Sequence, residues 1–352
     1  MIGGRRYSPG YYRPNDEDEQ CREQIEHQVF LALFSSLCTI PLENPTGILD
    51  IGAGTGDWAI EMGEKYRDCD VVGTDVSAIQ PSAVPNNVFF EIFDAEDEDD
   101  WTYPLNYFDL VHFRNMMGAF FDWKEIYRRA FTHTKPGGWI EIIDFGPQHQ
   151  LAARFAEDSE IHQWLSAMLA AARASERGYS YHHLNPDMLT AAGYVDVQST
   201  YHMIPLGLWS EDESMLKVAK LWLVACLEGF ESMSLQPLTQ VLGWEPEEVR
   251  RVCGLIGHEM KALAMDPEKC NGFAVKCQVL IGRKPEAAPL AMSVDAHMNG
   301  GGNMGAEGER MEHENEHNHN HDEDDDDDDD YEIGLDLGID MDESFDDTDT
   351  PR

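Results

Sequence analysis

The sequence predicts an α/β fold: a mostly parallel sheet of seven strands, with helices on both faces and a helical insertion before the last strand. Three observations carry this expectation. Residues 48–51 form a short apolar run, and alternate glycines (Gly52, Gly54 and Gly56) separate it from a helical segment starting at Asp57. Further short apolar runs alternate with segments of helical period, the pattern of βαβ units around a parallel sheet. Polar or acidic residues close several of these runs, at the carboxyl ends of strands where ligands of such sheets lie.

Residues 1–14 are rich in Gly, Arg, Tyr and Pro and are expected to form an irregular arm. A helix follows, with Asn15 as N-cap and acids in its first turn. Ile25, Val29, Leu33 and Leu37 recur every four residues with Phe30 and Phe34 beside them, an amphipathic helix ending near Cys38. Strands are expected at 48–51, 71–75, 88–92, 108–113, 139–144, 194–203 and 273–281, with a turn at Lys135-Pro136-Gly137-Gly138. Helices are expected at 123–132, 151–174, 184–192, 210–228, 235–241 and 245–264, the last opened by Pro246 in its first turn. The helices between the last two strands would roof the pocket. Residues 15–285 thus read as one domain.

The glycine loop suggests its own ligand. Glycines admit φ > 0 and close backbone approach, and a helix start offers unpaired N–H groups. The pattern is G-x-G-x-G preceded by Asp50, not the G-x-G-x-x-G of dinucleotide sites. An acid beside the loop repels a pyrophosphate and suits a cationic ligand such as S-adenosylmethionine. Asp75 ends the second strand, where a carboxylate can take two ribose hydroxyls. Asp94 follows the third strand and can accept from an adenine amino group. The candidate cofactor set is therefore Asp50, Gly52, Ala53, Gly54, Gly56, Asp75, Val76, Asp94 and Ala95, with Arg114 past the end of the fourth strand. By strand position His112 and Arg114 are the candidates nearest a reacting methyl. His112 also reads as a packed structural histidine, and Arg114 as a partner for a carboxylate or a brace for its loop. His133 and the Tyr181-His182-His183 cluster read as packing or surface residues.

Composition bounds the function. Over 352 residues the formal net charge is −42, which argues against direct binding to nucleic-acid backbones or anionic membranes. Seven scattered cysteines without a C-x-x-C pair, and no secretory signal, read as reduced thiols of an intracellular protein. No apolar run approaches the roughly 20 residues of a membrane span. After Pro285 come 24 acidic residues against two arginines, a histidine cluster (His313, His317, His319, His321) and the acidic run from Asp322 to Asp330. Residues 286–352 cannot bury enough apolar surface to fold alone and are expected to be a disordered tail. A plain solvated tail is the favoured reading, and engagement of histones or another basic partner is the alternative. No specific metal site is expected.

Taken together, these residues resemble a class I S-adenosylmethionine-dependent methyltransferase, a Rossmann-like fold. More closely the chain is similar to the LaeA-like methyltransferases of filamentous fungi. The resemblance spans about residues 7–285. Its specific pieces are Tyr12-Arg13-Pro14-Asn15-Asp16-Glu17-Asp18-Glu19-Gln20, Ile79-Gln80-Pro81 after Gly73-Thr74-Asp75-Val76-Ser77, and Pro205-Leu206-Gly207-Leu208-Trp209. Lys135-Pro136-Gly137-Gly138-Trp139 and Gly282-Arg283-Lys284-Pro285 match as well. Two positions depart: Asp57 stands where the family usually carries an apolar residue, and Asn115 where serine is common.

The resemblance implies that Tyr11 or Tyr12, the latter taken into the cofactor set, folds over the cofactor. It implies regulation of fungal development and secondary metabolism, a nuclear and cytoplasmic location, and a velvet-family regulator or second methyltransferase-like subunit as partner. Methyl transfer from a sulfonium needs chiefly alignment in a dry pocket, and a general base is optional. Two alternatives share the fold: a metabolic methyltransferase of a small carboxylic acid or natural product, and a cofactor-binding scaffold with little turnover.

Overall fold

The structure, a computed structural model, describes residues 1–97, 101–146, 153–175 and 181–286. The acidic tail, apart from Glu286, lies outside the described residues, as do the end of the acidic loop at Asp100 and the start of the helix expected from 151. Seven strands form one sheet in the order β3-β2-β1-β4-β5-β7-β6. They are β1 (Gly47–Ile51), β2 (Asp70–Asp75), β3 (Val88–Ile92), β4 (Phe108–Arg114), β5 (Thr134–Phe145), β6 (Val195–Pro205) and β7 (Ala274–Arg283). The first five pair in parallel, and β7 runs antiparallel to both β5 and β6. The central strand β1 is buried along its whole length, as a parallel strand covered on both faces must be. Chain order reverses beside it, between β2 and β4, which opens a crevice at the strands' carboxyl ends.

The helices are α1 (Glu17–Phe34), α2 (Asp57–Lys65), α3 (Trp123–His133), α4 (Glu160–Ala174), α5 (Pro186–Ala191), α6 (Glu213–Gln236), α7 (Pro246–Ala264) and α8 (Pro267–Cys270). One face of the sheet packs Ile48, Val71 and Leu110 against Trp58 and Met62 of α2. The other packs Leu49, Val111 and Phe113 against Ile126 and Tyr127 of α3 and against Tyr194. A third apolar cluster joins α6 and α7 of the insertion to α1 and β7 through residues such as Phe30, Trp222, Ile256 and Val275. No helix among the described residues is long and apolar enough to cross a membrane.

Several boundaries differ from the sequence reading for identifiable reasons. Asp16, not Asn15, caps α1, because its carboxylate accepts from the Glu19 N–H at 3.2 Å. The same carboxylate holds Arg5 at 2.5 and 2.7 Å, which anchors the arm. The helix ends at Phe34, short of Cys38, where Ser35 turns left-handed. Lys135-Pro136-Gly137-Gly138 does not stand apart as a turn. It is a bulge within β5, between the pairing of Thr134 with Phe108 and that of Trp139 with Leu110. Arg114 is the last residue of β4 rather than the first beyond it. The helices expected at 210–228 and 235–241 are continuous: α6 runs to Gln236 and passes into a π turn over Pro237–Val241.

The amphipathic pattern of α1 also needs correction. Val29 and Phe30 are buried as expected, but so are Glu19, Arg22, Glu26 and His27. Arg22 joins the carboxylates, with Nη2 2.9 Å from Glu19 and Nη1 3.1 Å from Glu26. Removing one member of a buried charge group leaves the others uncompensated. Arg22→Met is therefore expected to destabilise the fold by about 3–5 kcal/mol, read as a lower denaturation midpoint at unchanged slope. A loss below about 1 kcal/mol, the scale of an exposed ion pair, would contradict a buried Arg22.

Candidate cofactor-binding site

After β1 the chain turns through Gly52, Gly54 and Gly56, with φ of 74°, 54° and 83°. This left-handed region penalises any side chain. Space adds to this at Gly56, where a Cβ would run into the Phe90 ring, while one on Gly52 would have to displace the end of the Met116 side chain. The loop is tied to β2. The Gly52 and Ala53 N–H groups both donate to the Thr74 carbonyl at 2.9 Å, and the Gly54 N–H donates to Asp75 Oδ2 at 2.8 Å. Gln80, from the Ile79-Gln80-Pro81 block, donates to the Gly54 carbonyl at 2.6 Å. Asp57 opens α2 and accepts the Thr55 hydroxyl at 2.6 Å, a favourable place for an acid at a helix start.

The loop floors a cleft of about 1210 Å³, measured out to its open mouth. Asp50, Gly52, Ala53, Gly54, Asp75, Val76, Asp94, Ala95 and Arg114 of the sequence-derived set all line it. Gly56 lies behind the lining, packed over Phe90. Asp75 is less free than its strand-end position suggests, because Oδ1 accepts the Ser77 N–H at 2.8 Å while Oδ2 holds Gly54. Each oxygen keeps a lone-pair site for a ribose hydroxyl. Burial raises the Asp75 pKa. Asp94 is exposed at the rim and accepts the Glu96 N–H at 3.0 Å. Beside it, Phe93, Ala95, Ala119 and Phe120 give the cleft an apolar end suited to a purine.

The two residues nearest a reacting methyl by strand position part company. His112 does not line the cleft. It is fully buried, its Nδ1 lies 2.8 Å from Asp50 Oδ1, and its ring stacks on Trp58 at 3.7 Å. It orients Asp50 from beneath and matches the packed-histidine reading. Arg114 does line the cleft. Its guanidinium lies over the Phe30 ring at 4.9 Å, and Nη2 donates to His27 Nδ1 at 3.0 Å. Nδ1 must then accept, so the His27 Nε2–H donates to Glu61 at 3.1 Å. Burial, with Arg114 beside it, lowers the His27 pKa. No carboxylate among the described residues pairs with Arg114. His183 and His133 are packing residues: His183 lies 3.0 Å from Asp144 and stacks on Trp123, and His133 stacks on Trp101.

The arm supplies Tyr11, not Tyr12, to the cleft. Tyr12 packs behind it, its hydroxyl donating to the Met117 carbonyl at 2.9 Å. The Ser8 and Ser77 hydroxyls meet at 2.7 Å and fasten the arm across the end of β2. Sequence reasoning missed Glu23, Glu26 and His27 of α1, which also line the cleft. Asn115 takes φ 58° and donates to Glu26 at 2.6 Å, a left-handed position that asparagine tolerates better than serine.

These groups fit S-adenosylmethionine. A buried carboxylate suits the ribose, an apolar end suits the adenine, and acids around the loop suit the cationic methionine end. The profile of a methyltransferase domain matches residues 23–199. The secondary metabolism regulator LAE1 of Cochliobolus heterostrophus is 34% identical over 242 residues, covering 67% of this chain and 78% of that protein. The secondary metabolism regulator laeA of Aspergillus flavus is 33% identical, covering 74% and 71%. The protein-methionine methyltransferase laeA of Emericella nidulans is 32% identical, covering 71% and 67%. With this fold, this loop and these relatives, the chain belongs to the LaeA-like methyltransferases.

Proposed function

We propose that this chain transfers methyl groups from S-adenosylmethionine as a regulator of secondary metabolism and development, acting in the nucleus and cytoplasm. The observation that carries the cofactor reading is the tie between the glycine loop and Asp75. It fixes a carboxylate beside the middle glycine of the loop, where no side chain stands. When bound, the cofactor supplies an activated methyl group. The chain's own residues bind and exclude water: Asp75 takes the ribose, Asp50 stays braced by His112, and Tyr11 closes the cleft from the arm. No residue is assigned as a general base. The regulatory role rests on the identity to the named regulators. A velvet-family regulator or a second methyltransferase-like subunit as partner rests on the resemblance alone. A second reading, a small anionic acceptor, is favoured by the buried Arg13 and the half-buried Arg114, which line the cleft with no paired carboxylate among the described residues.

Radiolabelled methyl transfer from S-adenosylmethionine into a fungal lysate, resolved into protein and small-molecule fractions, tests the readings. Label in protein supports the regulator, label only in small molecules supports the second reading, and no label leaves a binding scaffold. Asp75→Ala is expected to lower cofactor affinity roughly a hundredfold, from about 3 kcal/mol of lost charge-assisted hydrogen bonds. The fold should also lose about 1–2 kcal/mol, because the Gly54 and Ser77 N–H groups lose their acceptor. Calorimetry that finds unaltered affinity in the folded variant would remove the ribose assignment.

The acidic tail is proposed as an arm for basic partners such as histones. Deleting residues 286–352 should leave melting temperature and cofactor affinity unchanged. Partners lost on deletion should be basic, and their capture should fade as salt rises, since exposed charges are screened beyond about 8 Å at physiological ionic strength. A truncated form that melts many degrees lower would contradict this.

A further inference from the structure

Glu23 is the cleft residue that the site as described leaves without a task. It lies on the second turn of α1 and lines the cleft opposite the glycine loop. Its carboxyl reaches the loop's middle glycine, with Oε2 3.0 Å from where a Cβ on Gly54 would stand. The residue as a whole is half-buried, yet Oε2 is enclosed and has no hydrogen-bond partner among the described residues. Leaving a buried carboxyl oxygen unpaired is unfavourable, so a group that binds here and supplies a donor relieves that penalty.

The charged and titratable groups around it define what that donor is. On its own helix Glu19 and Arg22 face it, on the arm Arg13 and Tyr11, and on β2 Asp75. Arg22 is already committed to Glu19 and Glu26, and Arg13 donates its Nε to the Tyr12 hydroxyl. Neither hydrogen-bonds Glu23. Burial, with Glu19 beside it, pushes the Glu23 carboxyl up to about 8. The ribose hydroxyls have Asp75 and the adenine has the apolar end near Asp94. What remains of the cofactor is its positive end, the α-ammonium and the sulfonium.

We infer that Glu23 is the carboxyl that receives the cationic end of the cofactor. The inference rests on the S-adenosylmethionine reading of the cleft. Before binding, Glu23 holds its proton at neutral pH. A cation beside it favours the carboxylate, so binding drives that proton into solvent. The sign follows from linkage. Affinity for a cationic ligand rises with pH through about 8, where the uncomplexed carboxyl is half ionised, and levels off above it. For the protein alone the direction reverses. Ionising a carboxyl whose folded pKa is raised removes stability as pH climbs from its ordinary value near 4.3 toward 8.

The test is calorimetric titration of the full chain at about pH 6.5, between the ordinary and the raised pKa, in two buffers of different ionisation enthalpy. S-adenosylhomocysteine carries the ammonium but no sulfonium. S-adenosylmethionine carries both. 5′-Methylthioadenosine keeps the adenine and ribose but has neither charge. Close to one proton should leave per bound S-adenosylhomocysteine or S-adenosylmethionine, and none with 5′-methylthioadenosine. Release with S-adenosylmethionine alone would support the inference and place the contact at the sulfonium. Glu23→Gln keeps the side chain's shape and cannot ionise. It should abolish the release and weaken S-adenosylhomocysteine about ten- to a hundredfold, the worth of a hydrogen bond to a charged group, with 5′-methylthioadenosine unchanged. No proton release by the native chain, equal release with 5′-methylthioadenosine, or unaltered release in the variant would each overturn the inference. Failure of all three ligands to bind would instead overturn the cofactor reading.

Discussion

The cleft depends on one hydrogen bond, from the Gly54 N–H to Asp75 Oδ2 at 2.8 Å. It joins the middle of the glycine loop to the carboxyl end of the neighbouring strand. For it to form, the loop must pass through three left-handed residues, and only glycine does so without strain. The loop must also lie flat against β2, which the two bonds to the Thr74 carbonyl secure. Gly73 continues the same logic one strand over, for a Cβ there would meet both the Phe90 ring and Ala53. The absence of side chains at these positions is thus a packing requirement of the loop and also what leaves room for a ligand above it.

Around that floor the charge is arranged in two layers. Beneath the loop, Asp50 is held by His112, which stacks on Trp58. Above it, α1 turns a charged face inward, where Arg22 balances Glu19 and Glu26. Asn115 links Glu26 to the end of β4, and the His27 bond to Arg114 links the helix to the same place. The helix therefore serves both as a wall of the cleft and as a support for it. The arm completes the wall, pinned by Arg5 to the helix cap and by Ser8 to the turn after β2.

Much of this was legible in the sequence. The strand, the three glycines, Asp50 and Asp75 stand in their expected places, because local backbone requirements and residue type point to the same answer there. The α1 face was not legible. A four-residue apolar period marks Val29 and Phe30 as buried but cannot show whether Glu23 and His27 meet water or a cleft. The choice of Tyr11 over Tyr12, and of Asp16 over Asn15 as cap, turns on tertiary partners, Met117 and Arg5, more than 10 residues away. The bulge in β5 and the continuity of α6 into a π turn depend on neighbours in the same way. Proline and glycine marked those places without revealing which irregularity they would make.

The central claim is that the loop tied to Asp75 is the floor of the cofactor site. Its most direct test is to follow backbone amide resonances while titrating S-adenosylhomocysteine into the full chain. The account predicts that the amides of Gly52, Gly54 and Ser77 shift together, saturate along one binding curve, and move more than those of β6 and β7 on the far side of the sheet. Saturable binding that leaves these three amides unmoved would contradict it.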